Sequence, residues 1–241
     1  MMRRMMAKVL TTGVVLAGLT GPAAAALIID AGTTLGAAAG TVRENFDRIA
    51  QGFTGATTLS SGVNLNLTTG AQAVQGSVAS AYLAPTLTAA SGVGFGAPNQ
   101  AAGVDATTYL AVGSNRGANA GAAAEFVLPV LSQYLGLAWG SVDGFNQLSL
   151  FNGSTLVGTV SGTEVLARAG AGAVEGQTTL FVGITSDLAF NRVVATSGGD
   201  AFEIDNLAFR GATVAPVPVP EPGTLLLLGS ALLAFGAIRR R

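Results

Sequence analysis

The segment Asp200-Ala201-Phe202-Glu203-Ile204-Asp205-Asn206 concentrates oxygen-bearing side chains. On an extended strand Glu203 and Asp205 project from one face, with Asn206 adjacent and Asp200 three residues before Glu203. Hard oxygen donors in such an array suit calcium, which takes about six to eight of them. Asp200, Glu203, Asp205 and Asn206 are therefore the candidate calcium ligands, with Asp143 and Asn146 available from another loop. No EF-hand or nonapeptide calcium loop accompanies them. The same carboxylates also fit an exposed strand edge, paired with Arg192 or Arg210 and needing no metal. A third chemistry is glycoside hydrolysis, whose retaining form places two carboxyl groups roughly 5 Å apart. Any two carboxylates two residues apart on a strand meet that distance, so the spacing discriminates little. No catalytic residue is assigned, and the expected function class is non-enzymatic.

Sugar recognition would need exposed aromatic faces beside polar side chains. Tyr82, Tyr109, Tyr134 and Trp139 are the candidates, but nothing in the sequence groups them. Trp139 alternates in phase with Leu135 and Leu137, which points it into a core, so the ligand-binding residues stay unassigned. The chain has no His and no Cys. Thiol nucleophiles, Ser–His–Asp triads, disulfides, and zinc or haem sites built on those ligands are thereby excluded.

The elements that must position these residues read as strands. Charged residues make up 10% of the chain, against roughly 25% in an ordinary soluble domain. Gly, Ala, Ser and Thr take their place, which favours short strands and tight turns over helical bundles. "YLGLAWG" alternates as a half-buried strand does, and so do Val63, Leu65 and Leu67 in "SGVNLNLTTG". "TTYLAVG", "TTLFVGIT" and "FNRVVATS" read as further strands. "TVRENFDRI" fits a strand or a short helix, the strand being preferred. "NQLSLFNGSTLVGTV" predicts a hairpin turning on Asn152-Gly153, with Leu150 opposite Thr155 and Leu148 opposite Val157. In "DAFEIDNLAFR" the apolar positions change parity between Phe202/Ile204 and Leu207/Phe209. A bulge near Asp205-Asn206 would return both pairs to one core. Positions 86–104 and 115–123 hold few bulky residues and read as loops. The expected fold is an all-β, jelly-roll-like β-sandwich of eight to eleven strands over residues 27–211.

Both ends of the chain differ from this body. Arg3, Arg4 and Lys8 precede a short apolar run, Val9 to Thr20, followed by a Gly-Pro breaker and small residues. That is the order of a secretory signal peptide over residues 1–26, with cleavage by signal peptidase after Ala24, Ala25 or Ala26. The Arg pair faintly echoes a twin-arginine signal, and general secretion is the preferred route. Residues 212–218 form a Pro-rich linker. Thr224 to Ile238 then carry no charge; as a helix they measure about 22 Å, short of the roughly 30 Å hydrocarbon core. Arg239, Arg240 and Arg241 would hold that end in the cytoplasm. Between Leu27 and Pro220 stand six arginines against twelve carboxylates, a body charge of about −6 with no lysine. Such a surface excludes nucleic acid as a partner, because phosphate recognition needs clustered cations.

The motif Val219-Pro220-Glu221-Pro222, then Gly223, a leucine-rich span and a terminal Arg run, resembles the PEP-CTERM sorting signal of Gram-negative bacteria. Under that reading residues 219–241 form a sorting signal with a single hydrophobic helix. The resemblance implies exosortase as a processing partner and transient insertion in the inner membrane through the tail. It further implies release to the cell surface or extracellular matrix, in a polysaccharide or biofilm setting. A plain C-terminal anchor on a proline-rich stalk is the alternative. A second resemblance rests on "AYLAP", "TTYLAVG", "YLGLAWGSVDGFNQLSLFNGSTLV" and "RVVATSGGDAFEIDNLAF". Together they resemble a surface-domain type carried by PEP-CTERM proteins, which implies a lectin-like or carbohydrate-module-like sandwich. The wide spacing of Pro85 and Thr107 suggests an inserted loop. The resemblance implies an exported structural or adhesive protein, with a calcium-supported carbohydrate-binding module as the alternative and an exported glycoside hydrolase behind it. Extracellular polysaccharide is the expected partner, and no cofactor other than that calcium is expected.

Overall fold

The computed structural model describes residues 25–96, 99–114 and 121–212. The signal peptide up to Ala24, the sorting motif Val219–Pro222, the hydrophobic tail and Arg239–Arg241 lie outside the described residues. The first part of the chain supplies β1 (Leu27–Gly32), β2 (Val42–Glu44), β3 (Gly55–Thr58), β4 (Asn64–Leu67) and β5 (Ala71–Val74). A covering segment follows with β6 (Thr86–Leu87), α1 (Ala89–Gly92) and β7 (Gly103–Val104). Next come β8 (Tyr109–Val112), β9 (Ala123–Gly140), β10 (Asn146–Asn152), β11 (Thr155–Ser161) and α2 (Gly162–Ala169). The long β12 (Leu180–Ser197) and β13 (Phe202–Gly211) complete the set.

β9 and β12, each of 18 residues, pair antiparallel along most of their length. The ladder runs from Ala123↔Thr196 to Val127↔Arg192, keeps the single pair Ser132↔Phe190 between two register shifts, and resumes from Tyr134↔Thr185 to Trp139↔Leu180. The exposed Pro129, Val130 and Leu131 of β9 fill one shift, between Val127 and Ser132, and the exposed Asp187 and Leu188 of β12 the other, between Thr185 and Phe190. Proline offers no donor to a ladder, so the ribbon loses its register there and folds over. Each half then recruits its own neighbours. One layer has the order β11-β10-β12-β9-β4-β3, and the other β1-β12-β9-β13-β8-β5, with β2 beside the second half of β13. The result is an all-β sandwich whose two layers share their central strands.

The alternating residues of both inner faces make one core. Leu135, Leu137, Trp139, Val182 and Ile204 of the second layer meet Leu65, Phe126, Leu148, Leu150 and Val193 of the first. Trp139 is fully buried and stacks on Phe202 at 4.2 Å between ring centroids. The parity change in β13 is resolved by a bulge: its register against β9 shifts between Asp205 and Ala208, and Asn206 takes φ +53°. Phe202, Ile204, Leu207 and Phe209 all enter the core as a result.

Several local expectations are corrected. "TTLFVGIT" and "FNRVVATS" are halves of the single bent strand β12. The strand containing "YLGLAWG" starts at Ala123, well before the alternating segment. The hairpin turns on Gly153-Ser154, with Asn152 opposite Thr155 and a bulge at Leu150/Phe151 that sets Leu150 against Gly158 and Leu148 against Val160. Leu148, Leu150, Val157 and Val160 still share the core. α2 was not expected. Ser161 caps it by accepting from the Glu164 N–H, while the Glu164 carboxylate accepts from the Ser161 N–H at 2.8 Å. This is a capping box, and Val165 carries the helix onto the core.

The chain enters and leaves at the fold of the ribbon. Ala26 N–H donates to the Asp187 carboxylate at 2.9 Å, and Ala212 N–H donates to Leu131 C=O at 2.8 Å. The opposite end holds the start of β13 and the end of β9, about 25 Å away along the strand axis.

Candidate functional site

The inner face of β13 is apolar, so its outward positions, Glu203 and Asp205, must lie on the back of the second layer. That back is not solvent. Leu87 and Phe95 from the covering segment pack there against Tyr134, Ala138, Phe181 and Ala208. Glu203, Asp205 and Asn206 are consequently almost fully buried. The exposed-edge reading fails for this reason. Arg192 pairs instead with Glu125 at 3.2 Å, and Arg210 donates to Ala39 C=O while lying over the Tyr134 ring.

Glu203 sits at the floor of a cleft of about 300 Å³ at the open end of the sandwich. Ser77–Leu83, Ser141, Asp143, Gly176, Asp200 and Ala201 complete its lining. One Glu203 oxygen accepts from Leu83 N–H at 2.8 Å and the other accepts from the Ser141 hydroxyl. Gly140 allows this approach, since a Cβ there would come within 2.8 Å of Glu203 Cβ. Burial pushes the Glu203 carboxyl up to about 7, against the opposing pull of the bonds from Ser141 and Leu83. Burial and the nearby Glu175 charge bring Asp143 up to about 6. The cleft thus offers carboxyl groups of mixed protonation at neutral pH, able to donate to or accept from hydroxyl groups.

Asp205 belongs to a different place. One oxygen accepts from its neighbour Asn206 N–H and the other from the Gln100 side-chain amide, each at 2.8 Å. Gln100 also donates to Thr107 Oγ1 at 2.8 Å, and Thr107 in turn donates to Asp105 at 2.6 Å. Asp47 joins through Asn45 at 2.7 Å and through Thr108 N–H at 3.3 Å. Burial raises the Asp205 carboxyl well above its usual range, and the Asp105 charge adds to the shift. Burial also raises Asp47.

The four residues proposed as calcium ligands therefore do not converge. Asp200 and Glu203 line the cleft, Asp205 enters the buried polar node, and Asn206 turns its amide onto Ser91 C=O at 2.7 Å. Nor do Glu203 and Asp205 form a hydrolase pair, because Asp205 does not reach the cleft. Asn146 is occupied by Ala201 C=O and the Ser197 hydroxyl. Among the described residues, no group of three or more His, Cys, Asp or Glu side chains has the arrangement of a metal centre. Of the aromatic candidates only Tyr82 borders the cleft. Tyr109 is buried and donates to Gly76 C=O, and Tyr134 is buried beneath the covering segment. The residues missed from sequence are Ser141, Gln100, Asp105 and Asp47. Gln100 and Asp105 lie in the stretch read as an inserted loop, where only the Asp-x-Thr turn of Asp105 and Thr107 marks local order.

No helix among the described residues is long and apolar enough to cross a membrane. No curated protein and no solved structure matches the chain. Residues 218–241, however, match the PEP-CTERM protein-sorting motif, which supports an exosortase substrate and implies export and processing at a membrane.

Proposed function

We propose that the mature chain is a non-catalytic surface or matrix protein, structural or adhesive, that meets extracellular polysaccharide through the cleft at Glu203. The observation that carries this reading is the relation of the sorting tail to the fold. The tail follows Ala212 at the bend of the ribbon, while the cleft opens at the far end of β13. A domain held through the Pro-rich stretch that remains after Ala212 would present that cleft outward. The cleft suits neutral sugars, with carboxyl groups and Ser141 to meet hydroxyls and Tyr82 to offer an aromatic face.

Mass spectrometry of the protein from an exosortase-containing host tests the sorting part. Loss of both the signal peptide and the tail beyond the Pro220-Glu221-Pro222 motif is expected, whereas retention of Leu225 to Arg241 would show a permanent anchor. A glycan array with wild type and Ser141→Ala tests the binding part. Selective binding weakened by the substitution supports it; equal binding of every glycan by both proteins refutes it.

A further inference from the structure

The polar node behind β13 is independent of the cleft and of the sugar-binding reading. Asp105 and Asp205 are 3% and 0% exposed and belong to one hydrogen-bonded chain, in which Gln100 Nε2 donates to Asp205 and to Thr107 Oγ1, and Thr107 Oγ1 donates to Asp105. Asp47 stands behind them, its carboxylate 3.5 Å from the Gln100 amide nitrogen that also bonds Asp205. Among the described residues no arginine is ion-paired with these carboxylates, the ion pair found there being Arg192–Glu125. Two ionised carboxylates sharing one dry node repel each other, and the Asp105 charge adds to the upward shift of Asp205. The node thus needs a proton or a cation between them.

Neutral oxygens discriminate between these. Gln100 is 3% exposed, and its amide nitrogen is fixed toward Asp205 and Thr107, yet its carbonyl oxygen Oε1 has no partner. Asp105 Oδ2 is likewise buried and without a hydrogen bond, while Oδ1 is saturated by Thr107 N–H and its hydroxyl. A shared proton would satisfy one carboxyl oxygen but leave the Gln100 carbonyl bare, at a cost usual for a buried unmade hydrogen bond. A hard divalent cation takes carboxylate and amide oxygens together. We propose that Asp105, Asp205 and the Gln100 side-chain carbonyl form a structural calcium site, with Asp47 as a supporting charge, that pins the covering segment to β13.

The site links residues about a hundred positions apart, so its occupation should read out in stability. Thermal unfolding of the full chain is measured in EDTA, in CaCl₂ and in MgCl₂, with calorimetric titration of CaCl₂ to count sites. Expected for wild type is one calcium per chain and a rise in Tm of about 5–10 °C at calcium a hundredfold above its dissociation constant. Magnesium, which demands tighter octahedral geometry, should give a smaller rise. Asp105→Asn removes one of the node's charges, so it should fold in EDTA with a Tm at or above wild type, yet lose both the heat and the calcium-induced rise. Gln100→Met should weaken calcium binding without abolishing it. Absence of any calcium response in wild type up to 10 mM (roughly the weak end of extracellular affinities) overturns the proposal. So does an unchanged response in Asp105→Asn, or a response lost in Asp143→Asn instead, which would put the ion in the cleft.

Discussion

The single extra residue in β13 decides which side chains reach the core, and its removal has a calculable cost. Deleting Asn206 slides the rest of the strand by one position, turning Leu207 and Phe209, both fully buried, to the outer face. Each loses about 1.5–3 kcal/mol of burial. The two together remove roughly 3–6 kcal/mol, and Arg210 is driven inward besides, out of a total stability of about 5–15 kcal/mol. The deletion is therefore expected to unfold the protein or leave it marginal. Point substitutions separate backbone from side chain. Asn206→Gly keeps the left-handed φ of +53° and loses the bond to Ser91 C=O, about 0.5–1.5 kcal/mol. Asn206→Val loses that bond and also forces a β-branched residue into a conformation costing a further 1–2 kcal/mol or so. Urea unfolding followed by Trp139 fluorescence measures all three. If Asn206→Val costs no more than Asn206→Gly, the left-handed bulge is not what holds the register. If the deletion unfolds at the wild-type urea concentration, the parity argument fails altogether.

Other outcomes can be set beside this one. Asp143, pushed up to about 6 from 3.8, contributes stability fully present below 3.8 and lost as pH rises through 6. Asp143→Asn should therefore stabilise at pH 8 and change little at pH 4, as read from urea midpoints in EDTA; an equal effect at both pH values would contradict the burial argument. Phe202→Ala should cost about 3–5 kcal/mol and shift Trp139 emission to the red, because it opens a cavity against the stacked indole. Gly140→Ala, whose Cβ meets Glu203 Cβ at 2.8 Å and Pro85 Cγ at 3.2 Å, should cost about 1–3 kcal/mol. Gly172→Ala, with nothing within 4 Å, is its near-neutral control by thermal melting.

Some of this molecule was readable from the residues alone, for identifiable physical reasons. Phe202, Ile204, Leu207 and Phe209 are large enough for their phase change to announce the bulge, and Leu135, Leu137 and Trp139 announce a core face. Other signals are blurred. The first half of β9 buries Ala124, Phe126 and Leu128, but Val127 and Val130-Leu131 are also apolar and Pro129 interrupts the run, so its period is masked, and Ser186-Asp187-Leu188 divides one bent strand into two apparent ones. Ser161 and Glu164 did mark α2, through a capping pattern that the strand-rich surroundings obscured. The acidic pair at Glu203 and Asp205 was visible, but its partners were not. Ser141 adjoins a strand far away in sequence, and Gln100 and Asp105 sit in a Gly- and Ala-rich stretch without periodicity. Which carboxylate joins which group is fixed by the covering segment, a tertiary fact with no local signature.

The attachment of the tail to β13 has a mechanical consequence. β13 is hydrogen-bonded to β9 along one side and to β8 and β2 along the other. A pull transmitted between a tail beyond Ala212 and a target held at the start of β13 would run nearly along the strand. Both flanking ladders would then be loaded in shear, with many bonds resisting at once. A tail leaving from the edge strand β11 would instead be peeled away bond by bond. The ribbon's bend thus does more than close the sandwich: it brings the chain out where flow or traction is met by the interior of a sheet.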